Sequence, residues 1–137
     1  MKSLVLKGKT GNKGHAEGEA LVTKDSICFF GGINPETGTI TEIRSKDKGK
    51  SFKGKIFVIE STKGSSGVWA WLSLLGRLGN APKAIVMTRG DPLVVGGSID
   101  DNIPYVFSLD RNPTEVIKTG DYVKVDGDKG TVEVISK

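Results

Sequence analysis

The stretch KIFVIESTKGSSGVWAWLSLLGRLG, residues 55–79, decides the fold because an apolar run, a glycine–serine turn and a helical pattern follow one another in it. Residues 55–60 are a compact apolar run between a glycine and a polar turn, which predicts a buried strand. From residue 66 to residue 78, apolar side chains including Val68, Leu72 and Leu75 recur at helical spacing. We therefore expect a strand that passes through a tight turn into the main helix of the chain.

Both ends of this helix carry stop or start signals. Ser65 or Ser66 can cap the first turn by accepting a backbone N–H bond. At the other end, Gly79, Asn80 and Pro82 are residue types that commonly terminate a helix. The sequence thus predicts a main helix that is marked at both ends.

Outward from this unit, the other elements read mainly as short strands. Apolar or alternating runs bounded by glycine, proline and charge predict strands at 4–6, 18–23, 26–30, 84–87, 105–107, 122–125 and 131–134. The last two flank Asp126–Gly130 as a hairpin, residues 31–38 predict a structured turn, and Leu93–Val95 followed by two glycines reads as a short apolar piece after a loop. The fold class is therefore mixed α/β and rich in strands.

Composition predicts one folded domain over residues 1–137. Hydrophobic residues make up 36% and charged residues 26%, without a repetitive or long polar tract, which excludes a disordered chain. The 19 glycines are scattered, as expected for many turns between strands. Because the first residues hold an apolar run of only three and no stretch approaches a membrane span, we expect a cytoplasmic protein without membrane association.

The net charge of +4 suits an anionic substrate, an acidic partner or nucleic acid. Lysines at positions 46, 48, 50, 53 and 55 nevertheless look first like a solvated loop and strand edge. Nucleic-acid binding would need aromatic residues interleaved with basic ones, and here the basic residues lie away from Trp69 and Trp71. We therefore expect no nucleic-acid partner.

The turn Thr62–Gly67 is the candidate binding loop, because it precedes a helix N-terminus whose free N–H groups and dipole favour an anion. Gly64 allows a close turn, Lys63 adds positive charge, and Ser65 and Ser66 offer hydroxyls to a carboxylate or phosphate. Serine is also a common capping residue, so a purely structural role for both hydroxyls stays open.

Three other residue types invite a functional interpretation. Trp69 and Trp71 could stack on a substrate, but at helical spacing we expect core or subunit-interface residues. His15, the single histidine, has no sequence neighbour for a triad or a metal cluster, which favours a surface or structural role. Cys28, the single cysteine, lies in an apolar run and is expected to behave as a small buried hydrophobe.

Five segments, taken in order along nearly the whole chain, resemble the aconitase X small-subunit family. They are Gly18-Glu-Ala-Leu-Val, Phe29-Phe-Gly-Gly-Ile-Asn-Pro-Glu-Thr-Gly38, Gly54-Lys-Ile-Phe-Val-Ile, Lys63-Gly-Ser-Ser66 and Ala81-Pro-Lys-Ala-Ile85. The resemblance implies a swivelling β/β/α domain that acts in a complex, heterodimeric or larger, with a large catalytic subunit.

The same resemblance implies the chemistry. In the aconitase superfamily a glycine–serine–serine loop supplies the serine that takes the substrate proton, which corresponds here to Ser65. Lys63, Gly64, Ser66 and Gly67 would bind the substrate. A [4Fe-4S] cluster held by the large subunit would act as Lewis acid on the leaving hydroxyl. The implied reaction is dehydration of (R)-5-phosphomevalonate to trans-anhydromevalonate 5-phosphate, with no activity in the absence of the large subunit.

Two alternatives remain at this point. The chain could be the small part of another aconitase X-type dehydratase, such as a hydroxyproline dehydratase, because substrate choice would lie mostly in the large subunit. It could also be a non-catalytic swivelling carrier or binding domain, in which His15 would be the only possible carrier. The sequence departs from the family pattern at Trp69 and Trp71, where further small residues are expected after the serines.

Overall fold

The computed structural model describes residues 2–62 and 67–136. Ten strands lie in these residues: β1 Lys2–Lys7, β2 Lys9–Asn12, β3 His15–Ile27, β4 Ile33–Asn34, β5 Thr39–Ile40, β6 Ile56–Thr62, β7 Ala84–Met87, β8 Tyr105–Phe107, β9 Tyr122–Asp126 and β10 Thr131–Ser136. The helices of the same residues are α1 Phe29–Gly32, α2 Gly67–Leu78, α3 Pro92–Asp100 and α4 Pro113–Val116. The prediction of a strand-rich mixed fold is confirmed.

Eight strands form one curved sheet in the order β1-β10-β9-β3-β6-β7-β8-β2. The outermost strands, β1 and β2, are consecutive in the chain and separated only by Gly8. Lys7 pairs with Thr131 of β10, whereas Lys9 pairs with Phe107 of β8. The chain therefore joins the two ends of the strand order, and the sheet is barrel-like.

The long strand β3 belongs to two different ladders. Residues 15–19 pair antiparallel with β9, and residues 20–27 pair parallel with β6. From β3 onwards the pairs β3–β6, β6–β7 and β7–β8 are all parallel. The sheet thus has an antiparallel part made from the chain ends and a parallel part made from the middle of the chain.

The parallel strands separate two hydrophobic cores. In β6, Phe57 and Ile59 pack into one core with α2 and α3, while Ile56 and Val58 pack into a second core against the antiparallel part. Side chains of a strand alternate between the faces of its sheet, so an unbroken apolar run is what two covered faces require. The arrangement is sheet, sheet and helix layers, which is the predicted β/β/α architecture.

Helix α2 agrees with the sequence prediction. Val68, Leu72 and Leu75 are each 1% exposed or less and face the core. The helix ends at Leu78, and Gly79 follows with a φ of 74°. That left-handed conformation is the usual helix-terminating geometry and is easily adopted by glycine.

One local prediction was wrong, and one segment received no element from the sequence. The predicted strand 26–30 is the end of the continuous strand β3, which stops at Ile27 before the short helix α1. Leu93–Val95, interpreted only as a short apolar piece, belongs to helix α3 together with the two glycines that follow it. Asp91 caps this helix and Pro92 occupies its first turn, a pairing that favours helix initiation.

The glycines of α3 serve close packing rather than a turn. A Cβ on Gly97 would lie 2.8 Å from Leu72 Cδ2, and one on Gly96 would lie 2.5 Å from the ring of Trp69. Both distances are below ordinary carbon–carbon contact, so α2 and α3 approach each other closely because these positions lack side chains. None of the helices in the described residues is long and apolar enough to cross a membrane.

The lysine-rich stretch lies between β5 and β6 and is a solvated loop, as predicted. Lysines 46, 48, 50 and 53 are exposed, and Lys55 is half-buried immediately before β6. Lys50 Nζ lies 2.7 Å from Asp47 Oδ1. Nearby, the predicted turn 31–38 consists of the end of α1 followed by the strand β4 and the turn of the β4–β5 hairpin. The buried Asn80 amide donates hydrogen bonds to the carbonyls of Pro35 and Glu36 in this hairpin.

Candidate active site

The candidate site lies at the carboxyl ends of the four parallel strands. β3, β6, β7 and β8 end at this edge, at Ile27, Thr62, Met87 and Phe107. The carboxyl edge of a parallel sheet is where ligands generally bind in open α/β folds. In the sequence, residues 63–66 of the predicted binding loop follow the end of β6, which lies at this edge, and precede the start of α2.

The predicted site residues fall on both sides of the described boundary. Lys63, Gly64, Ser65 and Ser66 lie outside the described residues, and their roles stay predictions. Gly67 is the first residue of α2, whose first turn contains no acidic residue. A helix N-terminus without a carboxylate of its own retains its electrostatic preference for an anion.

Asp91 and Thr62 form a pair that sequence reasoning missed. The Thr62 hydroxyl donates to Asp91 Oδ2, and Asp91 Oδ1 accepts from the Leu93 backbone N–H at 2.9 Å. One carboxylate therefore connects the last described residue before segment 63–66 to the first turn of α3. The signal available in the sequence was the Asp-Pro step at 91–92, which marks a helix start.

Beneath this pair lies a fully buried tyrosine. The Tyr105 hydroxyl accepts from the Asp91 backbone N–H at 3.3 Å and donates to Met87 Sδ at 3.2 Å. Burial raises the pKa of the Tyr105 phenol well above its usual range, so this hydroxyl is neutral at physiological pH. The Thr62–Asp91 pair thus contacts neutral, hydrogen-bonded groups of the core.

A shallow cavity adjoins Asp91. It has a volume of about 460 Å³ and is lined by Gly90, Asp91, Pro92, Val95, Phe107 and Ser108. Ser108 has a φ of 52°, a left-handed conformation that is uncommon for residues other than glycine. The cavity therefore combines apolar side chains with one carboxylate and one serine, at the same edge as the carboxyl end of β8.

On the β3 side of the edge, short polar contacts join neighbouring elements. The Ser26 and Ser61 hydroxyls lie 2.8 Å apart and connect β3 to β6. The Cys28 backbone N–H donates to Glu42 Oε1 at 3.4 Å. Cys28 is half-buried at the start of α1, so the prediction of a buried residue within a strand was wrong because the strand ends one residue earlier.

The two tryptophans occupy different environments. Trp71 is half-buried and packs against the helix-side core, as predicted. Trp69 is 43% exposed, and its indole Nε1–H donates to Asp100 Oδ2 at 2.6 Å, near the end of α3. The Trp69 ring therefore covers the α2–α3 contact from outside, and an interface role for it stays a prediction.

His15 has partners that its sequence neighbourhood did not reveal. Its Nε2 lies 3.1 Å from Asp126 Oδ1 and 3.8 Å from Asp128 Oδ2, at the β9–β10 turn. Each carboxylate also accepts a backbone N–H, from Lys129 and Gly14 respectively. The expectation of no partner was wrong because the sheet pairs the two ends of the chain, but the contacts agree with a structural surface role.

Comparison with known proteins decides the family. The sequence matches the family model described as aconitase X swivel domain over residues 5–134. This chain belongs to the aconitase X swivel-domain family. The match runs from β1 to β10 and so includes both parts of the sheet.

Individual members of the aconitase X swivel-domain family agree with this assignment over nearly their full length. The phosphomevalonate dehydratase small subunit of Methanosarcina acetivorans is 40% identical over 98% of this chain and 94% of the relative. The protein of the same name from Pyrococcus horikoshii is 39% identical over 96% of both chains. A crystal structure of Thermococcus kodakaraensis aconitase X in its holo-form has a TM-score of 0.91 and 38% identity, covering 97% of this chain and 99% of that one.

A swivel domain of this composition does not fit an iron–sulfur cluster by itself. A [4Fe-4S] cluster is held typically by about four cysteine thiolates. Cys28 is the single cysteine of the sequence and is half-buried at the start of α1. The His15, Asp126 and Asp128 side chains, whose ligand atoms lie within 4.8 Å of one another, offer oxygen and nitrogen rather than sulfur. This sequence therefore does not supply the ligands that such a cluster needs.

Proposed function

We propose that this chain is the small subunit of a phosphomevalonate dehydratase. Together with a large subunit it would convert (R)-5-phosphomevalonate to trans-anhydromevalonate 5-phosphate, a step in the synthesis of isoprenoid precursors. The large subunit would hold a [4Fe-4S] cluster, for which this chain lacks the cysteines. The observation that carries the proposal is the nearly full-length similarity to relatives named phosphomevalonate dehydratase small subunit.

In this proposal Ser65 is the proton acceptor. It takes the proton from the carbon next to the substrate carboxylate, a carbon–carbon double bond forms, and the hydroxyl on the neighbouring carbon leaves with the electrons of its bond. Return of the abstracted proton from Ser65 to this hydroxide gives water and restores the serine anion. Free serine is too weakly acidic to act as an alkoxide at neutral pH, so its anion needs stabilisation by nearby positive charge and hydrogen-bond donors. Lys63 and the N-terminus of α2 are the candidate sources within this chain.

The remaining residues of the loop bind the substrate in the proposal. Ser66 and the Gly67 backbone N–H donate hydrogen bonds to a carboxylate or phosphate oxygen, and Lys63 offsets part of its negative charge. Support comes from the connectivity, since segment 63–66 leaves β6 at the carboxyl edge and enters a helix with no acidic residue in its first turn.

The test is anaerobic co-expression with the candidate large subunit, followed by an assay of phosphomevalonate dehydration. Each subunit is measured alone and in the mixture. We expect product only when both are present, because the proposal divides the proton acceptor and the cluster between two chains. If a stable complex is inert on phosphomevalonate but dehydrates a hydroxyproline, the proposed substrate is wrong and hydroxyproline takes its place. Failure of the two chains to associate would refute the two-subunit dehydratase.

The Ser65→Ala variant tests the mechanism within that complex. We expect turnover to fall by about a hundredfold or more, because a positioned acid–base group contributes roughly that much, while the thermal midpoint stays unchanged. Ser73→Ala makes the same chemical change on α2 and is the matched control, with near-normal turnover. Near-normal turnover of Ser65→Ala itself would remove this residue from the mechanism.

A further inference from the structure

Helix α3 contacts the chain on both sides of segment 63–66. On the β6 side, Thr62 donates its hydroxyl hydrogen to Asp91 at the start of α3. On the α2 side, Trp69 donates its indole hydrogen to Asp100 at the end of α3. The two flanks of the predicted binding loop are therefore tied to the same helix, at opposite ends.

The contact with Thr62 exceeds what capping of α3 requires. Capping uses only Asp91 Oδ1, which accepts from the Leu93 N–H at 2.9 Å, and asparagine or serine would cap equally well. The second oxygen, Oδ2, accepts from Thr62, which belongs to a different element 29 positions earlier in the chain. A carboxylate accepts through two oxygens at once, so the residue type suits a bridge between β6 and α3.

Asp91 is itself held in place by the core. Its backbone N–H donates to the Tyr105 hydroxyl at 3.3 Å, and that hydroxyl donates to Met87 Sδ at 3.2 Å. Tyr105 and Met87 are each 0% exposed and lie on β8 and β7. Hydrogen bonds thus connect Thr62, through Asp91, to residues of the parallel strands β8 and β7.

We propose that Asp91 is a positioning residue for the dehydration. By holding Thr62 against the start of α3, it fixes where the chain enters segment 63–66 and thereby the placement of Ser65. This inference rests on the proposed function, because it gives Asp91 a catalytic consequence only through Ser65. Misplacement of a reacting group by about 1 Å can lower a rate by about a hundredfold, so the anchoring of the loop entrance matters.

The decisive variants are Thr62→Val and Thr62→Ser in the assembled two-subunit enzyme. Valine keeps the β-branched shape and removes the hydroxyl, whereas serine keeps the hydroxyl. We expect Thr62→Val to lower kcat by about ten- to a hundredfold with KM little changed, and Thr62→Ser to restore most of the loss. Thr10→Val is the matched control. It removes a hydrogen bond from the hydroxyl of Thr10, on β2, to the Gly127 carbonyl, and it should leave kcat unchanged.

A second measurement, amide hydrogen exchange, follows the chain around Thr62 independently of enzyme activity. Amide hydrogen exchange of the peptide covering residues 60–68 should become faster in Thr62→Val and stay as in the wild type in Thr62→Ser and Thr10→Val. Should Thr62→Val lower the thermal midpoint but leave kcat and this exchange rate unchanged, the bond is merely structural and the positioning role is refuted.

The outcome separates this inference from the proposed function. If Ser65→Ala is inactive and Thr62→Val has normal kcat and exchange, the positioning role alone fails. If the assembled pair of subunits does not dehydrate phosphomevalonate, the proposed function fails, and if it does so equally well with Ser65→Ala, only the role of Ser65 fails. In that case faster exchange in Thr62→Val would leave only a local anchoring effect and overturn the catalytic part of the inference.

Discussion

Substitution of Gly97 by alanine tests the close packing of α2 against α3. An alanine methyl at this position would lie 2.8 Å from Leu72 Cδ2 and 3.2 Å from Leu72 Cβ. Unstrained carbon–carbon contacts are about 3.5–4.0 Å. A rotamer change at Leu72 moves Cδ2 but cannot move Cβ relative to its helix backbone, and Leu72 is 0% exposed, so the two helices must separate.

The size of the effect follows from two opposing contributions. Overpacking of a core typically costs about 1–3 kcal/mol, while replacing glycine by alanine inside a helix stabilises it by up to about 1 kcal/mol. Because relief needs movement of a helix rather than a side chain, we expect a net loss of about 1–2 kcal/mol in the free energy of unfolding. For a domain of this size that lowers the melting temperature by about 3–8 °C.

The assay is urea and thermal unfolding of Gly97→Ala, Leu72→Ala and the double variant. Leu72→Ala alone should cost about 2–5 kcal/mol, since it leaves a cavity. The double variant should be less destabilised than the sum, because the new methyl enters the vacated space. Gly96→Ala is the matched control and should cost less, as it meets the ring of Trp69, which is 43% exposed and can swing outward.

Two outcomes would refute the reasoning. Gly97→Ala could be as stable as the wild type, which would mean that the helices separate freely. Alternatively, the two single effects could simply add, which would mean that the methyl introduced by Gly97→Ala and the Leu72 side chain do not compete for space.

Two further substitutions probe the polar groups around the core. Tyr105→Phe leaves the Asp91 N–H without its acceptor and should cost about 1–3 kcal/mol by urea unfolding. Burial raises the Tyr105 pKa above its usual value of about 10, so the Tyr105 contribution to the free energy of unfolding should be complete below about pH 10 and fall above it, because the phenol ionises first in the unfolded chain. The comparison is made in a Tyr122→Phe background, because the Tyr122 pKa is raised as well, and there Tyr105→Phe should lack this decline. An unchanged decline would contradict the assignment to Tyr105. Asn80→Ala removes two hydrogen bonds to the 33–38 turn from a residue that is 8% exposed and should cost about 1–3 kcal/mol, whereas full stability would show that water replaces the amide.

The elements that the sequence predicted well are those set by local pattern. The apolar run within residues 55–60 predicted a buried strand, and the helical spacing of Val68, Leu72 and Leu75 predicted α2. The terminal hairpin followed from alternation around Asp126–Gly130, and β9 pairs with β10 as expected. Such features depend on neighbours within a few residues, so a single sequence contains them.

Features that depend on distant pairing were missed. Gly96 and Gly97 look like turn residues until Trp69 and Leu72 are known to lie against them. Likewise, no local pattern connects His15 with the carboxylates of the β9–β10 turn. The sheet order and the two-sided role of β3 belong to this group as well, because they arise from ladder pairing across the whole chain.

The place of the candidate site stays a prediction, and a contact beside it was missed. The sequence predicts a loop at 63–66 between a strand and a helix, and the structure describes the strand and the helix that flank it, β6 and α2. The bridge from Thr62 to Asp91 was not recognisable, since threonine and aspartate at strand and helix ends are common for unrelated reasons. The catalytic role of Ser65 stays a prediction that the proposed assays test.

The pairing of β1 with β10 has a consequence for how this domain reaches its native state. Lys2 lies opposite Ser136, so β1 has no ladder partner until β10 has been synthesised. Contacts this far apart in sequence form late and slow the folding of small domains. During synthesis, β1 is therefore unpaired until β10 appears, and truncation before β10 would leave it exposed to association with other proteins.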